Sequence, residues 1–445
     1  MGHHVEAELR GQVRSQAGAW ERGVFRYISK RLIYLDYNAT TPLAPEVFEA
    51  MRPYLERHFG NPSSIHAAGR EARAAIDDAR DRLAALLGAK PHEIIFTGGG
   101  TESDNLAIIG LARANAARGR HLITCATEHH AVLHAFEHLQ KKEGFRVTWL
   151  PVDPHGRIDL AQLADALTPE TMLVSIMSAN NETGTLQPVR EIAALCRARG
   201  VLFHSDAIQS FGKEPLAARD FDALSLTAHK FHGPKGAGLL YLGAGHSIES
   251  LQHGGSHENQ RRPGTENTAA IVGLARAAEI ALATMDAERP RQAALRDRLW
   301  QGIRAVFPAA VRNGDPDHAL ANTLNVSFPG LDGESLLINL DLAGLCASSG
   351  SACMVGSIMA SHVLLAMGVA PGLARATVRF SLGKETTAAE IETAITRLPE
   401  IFARLTPPGV ATDRHAARFF PPAHHPPPLG DPAPELSASH RLRER

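Results

Sequence analysis

Ser225-Leu-Thr-Ala-His-Lys-Phe-His-Gly-Pro-Lys-Gly236 carries the lysine, Lys230, around which the rest of the chain is arranged. Ala223–Ala228 leans towards a strand, and the Gly/Pro-rich turn behind it ends that strand at once. Such a layout holds an amine at a strand end with little freedom. An amine that attacks a carbonyl needs this fixed, partly desolvated position, because it must be deprotonated near neutral pH. Upstream, Val201–Asp206 is a second β-run that ends in a carboxylate, Asp206. A lysine and an acid at two strand ends suit an aldehyde cofactor held as a Schiff base, with the carboxylate keeping a ring nitrogen protonated, as pyridoxal phosphate requires. Taken singly, Lys230 also reads as a turn lysine on the surface and Asp206 as a helix cap.

The flanking sequence favours the cofactor reading. Glu93-Ile-Ile-Phe-Thr97 is a strand, and Gly98-Gly-Gly-Thr-Glu-Ser-Asp-Asn105 leads into a helix expected over Leu106–Ala117. Strand, glycine loop and helix together present free N–H groups and a helix dipole to a phosphate. The glycine spacing suits neither a dinucleotide nor a Walker loop, so one small phosphate fits best. Further strands are expected at His121–Thr124, Arg146–Val152, Met172–Met177 and Gly238–Leu242. Helices are expected near His130–Lys142, Leu160–Leu167, Val189–Arg199 and Thr268–Met285. This alternation predicts an α/β fold with a mainly parallel seven-stranded sheet and ligands at the C-terminal strand ends. Thr97 to Thr101, Asp206, His229 and Lys230 fall at such ends. So do Thr127-Glu-His-His130 and Asn180-Asn-Glu-Thr-Gly184, where a histidine can lie on a cofactor ring and an Asn can donate to its 3-oxygen.

A second amphipathic helix is expected over Pro290–Val306 with its proline in the first turn. Thr323–Phe328 and Ala376–Leu382 read as strands, and Gly333–Leu342 and Thr387–Leu405 as helices, an α+β pattern for a smaller domain. The expected division is a flexible extension at 1–30, a large domain at 41–286, a small one from 31–40 and 287–405, and a disordered Pro/His-rich tail at 406–445. Cys346-Ala-Ser-Ser-Gly-Ser-Ala-Cys353 is a loop of small residues in which Cys353 reads as a nucleophile or as an ordinary thiol. Arg379, on the following strand, reads as a two-pronged clamp for a carboxylate or as a surface salt bridge.

The 445 residues, with 44% hydrophobic and 21% charged residues and a net charge of −1, are ordinary for a soluble globular chain of about two to three domains. No basic field is present to gather nucleic acid or an anionic membrane. No run of about 18 apolar residues is present to span a bilayer. Four cysteines without close pairing argue against a disulfide framework or a zinc site and for a cytoplasmic setting.

Taken together, the chain resembles the cysteine desulfurases of the nitrogen-fixation and iron–sulfur-assembly type, class V aminotransferases among the fold type I pyridoxal-phosphate enzymes. The matching stretches are Tyr34-Leu-Asp-Tyr-Asn-Ala-Thr-Thr-Pro42, Phe59-Gly-Asn-Pro-Ser-Ser64, Gly99-Gly-Thr-Glu-Ser-Asp-Asn105, Thr127-Glu-His129, Asn180-Asn-Glu182, Asp206-Ala-Ile-Gln209, His229-Lys230, Gly233-Pro-Lys-Gly236, Arg262-Pro-Gly-Thr265, Ser348-Ser-Gly-Ser-Ala-Cys353 and Arg379-Phe-Ser-Leu382. They run in family order from about residue 32 to 405.

The resemblance implies that Lys230 bonds the pyridoxal 5'-phosphate aldehyde and shuttles protons. Asp206 would pair with the ring nitrogen, Gln209 and Asn181 would contact the 3-oxygen, and His129 would stack on the ring. Gly100, Thr101, Thr227 and His229 would hold the phosphate, with Thr265 reaching across from the other subunit of a homodimer. Arg379 and Asn181 would bind the carboxylate of L-cysteine. Cys353 would take the sulfur as a persulfide, release L-alanine, and pass the sulfur to an iron–sulfur scaffold or another acceptor protein. No resident metal is expected, Cys353 touching a cluster iron only in transit. A selenocysteine lyase, or another lyase or aminotransferase of the same fold, is the alternative.

Departures from the family are Thr227 where serine is usual, Met354-Val355 and Ile358-Met-Ala360 in place of more polar residues, and a tail unlike the segment that docks a scaffold. The acceptor stays open, nitrogenase-linked or housekeeping.

Overall fold

The structure, a computed structural model, describes residues 32–349 and 359–405. The expected extension at 1–30, the tail at 406–445, Cys353, Met354-Val355 and Ile358 lie outside the described residues.

Seven strands form the main sheet: β2 (Ile94–Thr97), β3 (His121–Cys125), β4 (Arg146–Leu150), β5 (Thr171–Ser175), β6 (Leu202–Asp206), β7 (Ala223–Thr227) and β8 (Gly238–Leu242). Their spatial order is β2-β8-β7-β6-β5-β3-β4. β8 runs antiparallel to both neighbours, and all the other pairings are parallel. Strands β3, β5, β6, β7 and β8 are buried at every position, as a sheet covered on both faces must be.

The period of two along each strand sorts its residues between two cores. Ile123, Val174, Phe203, Leu224 and Leu239 face one core with α1 (Pro45–Glu56), α2 (Ala67–Leu87), α5 (Leu160–Ala166), α6 (Val189–Ala198) and the first turns of α7 (Thr268–Val306). Leu122, Leu173, Leu202, Ala223 and Leu240 face the other, closed by α3 (Gly100–Ala114) and α4 (His130–Glu143).

A third core gathers both ends of the described chain. It joins β1 (Ile33–Tyr34), an antiparallel sheet of order β12-β10-β9, and α8 (Gly333–Leu342), with the last turns of α7 and α11 (Ala388–Leu405). The three strands are β9 (Val311–Asn313), β10 (Thr323–Ser327) and β12 (Thr377–Ser381). β1 pairs in parallel with β11 (Leu345–Cys346). Two short helices, α9 (His362–Ala366) and α10 (Pro371–Arg375), precede β12.

The structure corrects several element boundaries. The helix expected from Leu106 begins at Gly100, so Thr101 and Glu102 lie in its first turn. The two helices expected on either side of Pro290 are one, α7, and Pro290 lies inside it rather than in a first turn. Pro290 is exposed, so the carbonyl of Asp286 that loses its partner turns towards water. The same helix has an 18-residue window with a mean hydropathy of 1.4, long and apolar enough to cross a membrane by composition. Half of that window is buried in the protein, and Thr268 to Ala275 are core residues. The helix α1 and the short strands β9 and β11 were not expected from the sequence.

Candidate active site

The functional residues collect where the sheet ends. β7 stops at Thr227, and a single 3₁₀ turn, Ala228–Lys230, carries His229 and Lys230 beyond it. β6, the adjacent parallel strand, stops at Asp206. The Lys230 amine donates to the carbonyls of Asn38 (2.7 Å) and Ala39 (2.8 Å). Burial pushes its pKa down to about 8, Arg379 pushes the same way, and Asp206 and Asp36 oppose. Asp206 is buried, with Oδ1 accepting from the Ile208 N–H at 2.9 Å. Burial raises its carboxyl to about 6, while Ile208 and Lys230 hold it down.

Beside them, β2 turns into α3. Gly99 has φ +154°, which disfavours any side chain, and a Cβ on Gly100 would meet Ile208 Cδ1 at 2.2 Å. The glycines therefore let the N-terminus of α3 lie against the loop after Asp206. Gly98 to Glu102, Thr227, His229, Lys235 and Arg262 surround a cavity of about 780 Å³. The His229 imidazole, bonded to the Thr40 hydroxyl at 3.1 Å, is lowered to about 4 by burial and then by Lys230 and Lys235. Thr265 is exposed and lines a neighbouring cavity of about 230 Å³ with Gly98 and Arg262.

His129 is the N-cap of α4, and its Nδ1 accepts from the Ala131 N–H at 3.1 Å, which leaves the ring proton on Nε2. Although it faces the open cleft, the enclosing walls and then Lys230 push its pKa down to about 4, so the ring is neutral. Arg379 reaches the cleft from β12 and is 4% exposed, which removes the surface salt-bridge reading. One arm donates to the Asn181 carbonyl and the other to Asp36 Oδ1, both at 2.8 Å, and its Nε has no partner. Backbone hydrogen bonds between Arg379 and Ser348 bring the chain leading to Cys353 onto this strand. Cys353 itself lies outside the described residues.

Some residues that build the site carried no role in the sequence reading. The buried Asn38 is a hub. Its carbonyl accepts from Lys230 and from Gln209 Nε2 (2.9 Å), and its side chain bonds Thr323 and the Asn181 carbonyl. Lys213, lowered to about 7 chiefly by burial, donates to Gln209 Oε1 at 3.2 Å and so fixes which way that amide points. Asp36 pairs with Arg379. Both Asp36 and Asn38 lie in the Tyr34–Pro42 stretch, where an acid and an amide directly after a strand were the available signal.

These residues fit pyridoxal phosphate. A glycine-lined helix N-terminus faces the cavity, a buried carboxylate stands without a cation in direct contact, an amine near its neutral form lies at the adjoining strand end, and a neutral imidazole lies alongside.

Comparison with known proteins places nearly all of the described chain in one family. Residues 33–393 match the aminotransferase class-V family. A cysteine desulfurase IscS of Dictyoglomus turgidum is 47% identical over 378 residues, covering 84% of this chain and 96% of that protein. One from Methanosarcina thermophila is 45% identical over 377 residues, covering 84% and 93%. Among solved structures, a NifS-like protein aligns with a TM-score of 0.79 at 38% identity, over 84% of this chain and 100% of that one. SspA in complex with cysteine aligns with a TM-score of 0.69 at 38% identity, over 78% and 98%.

Proposed function

The chain belongs to the aminotransferase class-V family and is a cysteine desulfurase, and from that premise we propose how its own residues carry the reaction. The observation that carries the proposal is the placing of Lys230 and Asp206 at adjoining strand ends beside the glycine turn of α3. Pyridoxal phosphate, when bound, takes up the electron pair released at the substrate carbons.

The N–H groups of Gly100 and Thr101, with Thr227 and His229, hold a phosphate in the large cavity. Asp206 keeps a proton on the ring nitrogen, its carboxylate being supported by the Ile208 N–H and by Lys230. Gln209, held by Lys213, and Asn181 donate to the 3-oxygen. His129 forms a neutral wall against the ring. Lys230, with its lowered pKa, anchors the cofactor and moves a proton to and from the substrate carbon. Arg379 binds the carboxylate of L-cysteine with its fork, whose two arms now rest on the Asn181 carbonyl and on Asp36.

The Cys353 thiolate attacks the substrate sulfur. A sulfur–sulfur bond forms, the carbon–sulfur bond breaks with its electron pair going to carbon, and protonation of that carbon gives L-alanine. The persulfide left on Cys353 passes its outer sulfur to an acceptor thiol for iron–sulfur assembly, the role that the relatives' name IscS supports.

The chain works as a homodimer in this proposal. Phe59 and Ile65 are 82% and 91% exposed after α1, whose Leu55 is also exposed, an apolar surface suited to a second copy. Thr265, exposed at the rim, then reaches the phosphate of the other subunit's site.

Alanine and sulfide release from L-cysteine, measured with a reductant for wild type and Cys353→Ala, tests the chemistry. Equal molar products from wild type and none from the variant, with both proteins yellow, are expected. Release by both overturns the persulfide role of Cys353.

A further inference from the structure

Helix α4 carries His130, His134 and His138 at intervals of four residues, which puts them on one face. Together with His129, Thr101 and Asn105 they line a groove of about 430 Å³ that opens beside the cofactor cavity. The His130 and His134 rings stack with centroids 5.2 Å apart. His362, the first residue of α9, brings its ring centroid within 4.7 Å of His130. His362 Nε2 lies 2.9 Å from the Glu128 carbonyl, which can only accept, so the ring proton sits on Nε2, and among the described residues the Nδ1 lone pair has no partner. A carbonyl holding the far nitrogen in this way is the usual support of a metal-binding imidazole. His138 is engaged by Glu143 at 3.1 Å and stands apart.

A bare imidazole is the form that binds Zn²⁺, Ni²⁺ and Cu²⁺. The cleft chemistry uses none of His130, His134 and His362.

We propose that His130 and His134 chelate a divalent transition-metal ion of this class, with His362 supplying a third ligand through Nδ1. As they stand the three donors do not converge, and among the described residues no group of three or more His, Cys, Asp or Glu is placed to hold a metal. Two imidazoles one helical turn apart need only side-chain rotation to close on an ion, as in helical zinc motifs. Closing the third ligand ties α9 to α4, one residue from His129.

Zinc alone is the probe, measured by equilibrium dialysis on the full-length holoenzyme. Cys353→Ser is present in every sample so that this thiol does not compete, and the histidines of the C-terminal tail are kept throughout. The double variant His130→Asn/His134→Asn is expected to bind one zinc fewer per chain while keeping its cofactor colour. Equal stoichiometry in the two proteins overturns the site. His362→Asn is expected to lower the affinity by more than about tenfold, the scale of a lost supporting contact at a metal site, and an unchanged affinity overturns its role as a ligand. Cobalt adds an independent readout. A visible d–d spectrum without thiolate charge transfer in the parent, absent from the double variant, is expected, whereas an identical spectrum in both overturns the site. None of these outcomes depends on the desulfurase mechanism.

Discussion

Two buried carboxylates, Asp206 at the end of β6 and Asp104 on α3 beside it, meet different fates. Asp206 borders the cleft, has Lys230 as a nearby cation, and is raised only to about 6. Asp104, on α3, is wholly sealed. Its closest cationic candidate is His204, with Nε2 at 3.8 Å, but burial lowers that ring to about 3 and it is already shared between Ser175 (2.8 Å) and Ser225 (2.9 Å). Neither Asp104 oxygen makes a hydrogen bond of good geometry, and the slight downward pull of Ser225 comes from a hydroxyl that His204 holds. Burial and then Asp206 push Asp104 well above the usual carboxylate range, which favours its neutral, protonated form. Of these two acids, the one less raised by burial is the one met by a cation and the cleft, and that is where the chemistry is placed.

The sharpest way to break this comparison is to remove the cation. Lys230→Ala should cut alanine formation by about 10³-fold or more, within the range set by losing a positioned acid–base group. The carboxyl of Asp206 should then titrate higher, because the cation that holds it down is gone. Isotope-edited infrared spectra of the cofactor-free chain would check that shift. Next in size, Asp206→Asn should lower turnover by about 10²- to 10³-fold by leaving the ring nitrogen without a counter-charge. Asp104→Asn replaces a neutral acid by a neutral amide and should leave turnover unchanged. Equal losses in the two would mean that Asp104 is charged and that the contrast is wrong. Arg379→Lys keeps the charge but removes the fork. A loss of about 10- to 100-fold in kcat/KM for L-cysteine, carried mainly by KM, is the scale of one charged hydrogen bond.

The two regions also differ in how well they could be read from sequence. Lys230, Asp206 and the glycine loop were legible because each stands at the end of an apolar run, and parallel strands bring such ends to one edge. The seven strands and their mainly parallel arrangement followed from the alternation, whereas the reversal of β8 did not. The boundaries of α3 and α7 were not legible, since a glycine-rich start and an internal proline oppose helix locally and tertiary packing overrides them. Asn38, Asp36 and Lys213 escaped because their meaning lies in distant contacts. Asp36 meets Arg379 across 343 positions of sequence, and Asn38 meets Lys230 across 192. No local pattern announces such pairs.

A third buried acid tests the comparison by stability rather than rate. Glu128 Oε1 accepts from the Met177 N–H (2.8 Å) and the Cys125 thiol (3.1 Å), while Oε2 has no partner. Burial raises its pKa to about 8, with Asp206 adding to the rise and the Met177 and Cys125 contacts opposing it. The folded chain therefore keeps a proton that the unfolded chain gives up near the ordinary value of 4.5. Between these values the folded state binds more protons, so raising the pH lowers stability across the window. The contribution is complete below the unfolded value and gone above the folded one. Glu128→Gln removes the titration and preserves the Oε1 contacts. The stability difference between wild type and variant, from urea denaturation of the cofactor-free chains, should thus move against wild type as pH rises from about 5 to about 8, by at most about 1.4 kcal/mol per pH unit. Parallel curves would mean that Glu128 is ionised in the fold. It would then join Asp206 as a charge borne inside the protein, and access to the cleft would no longer separate the acids that ionise from those that do not.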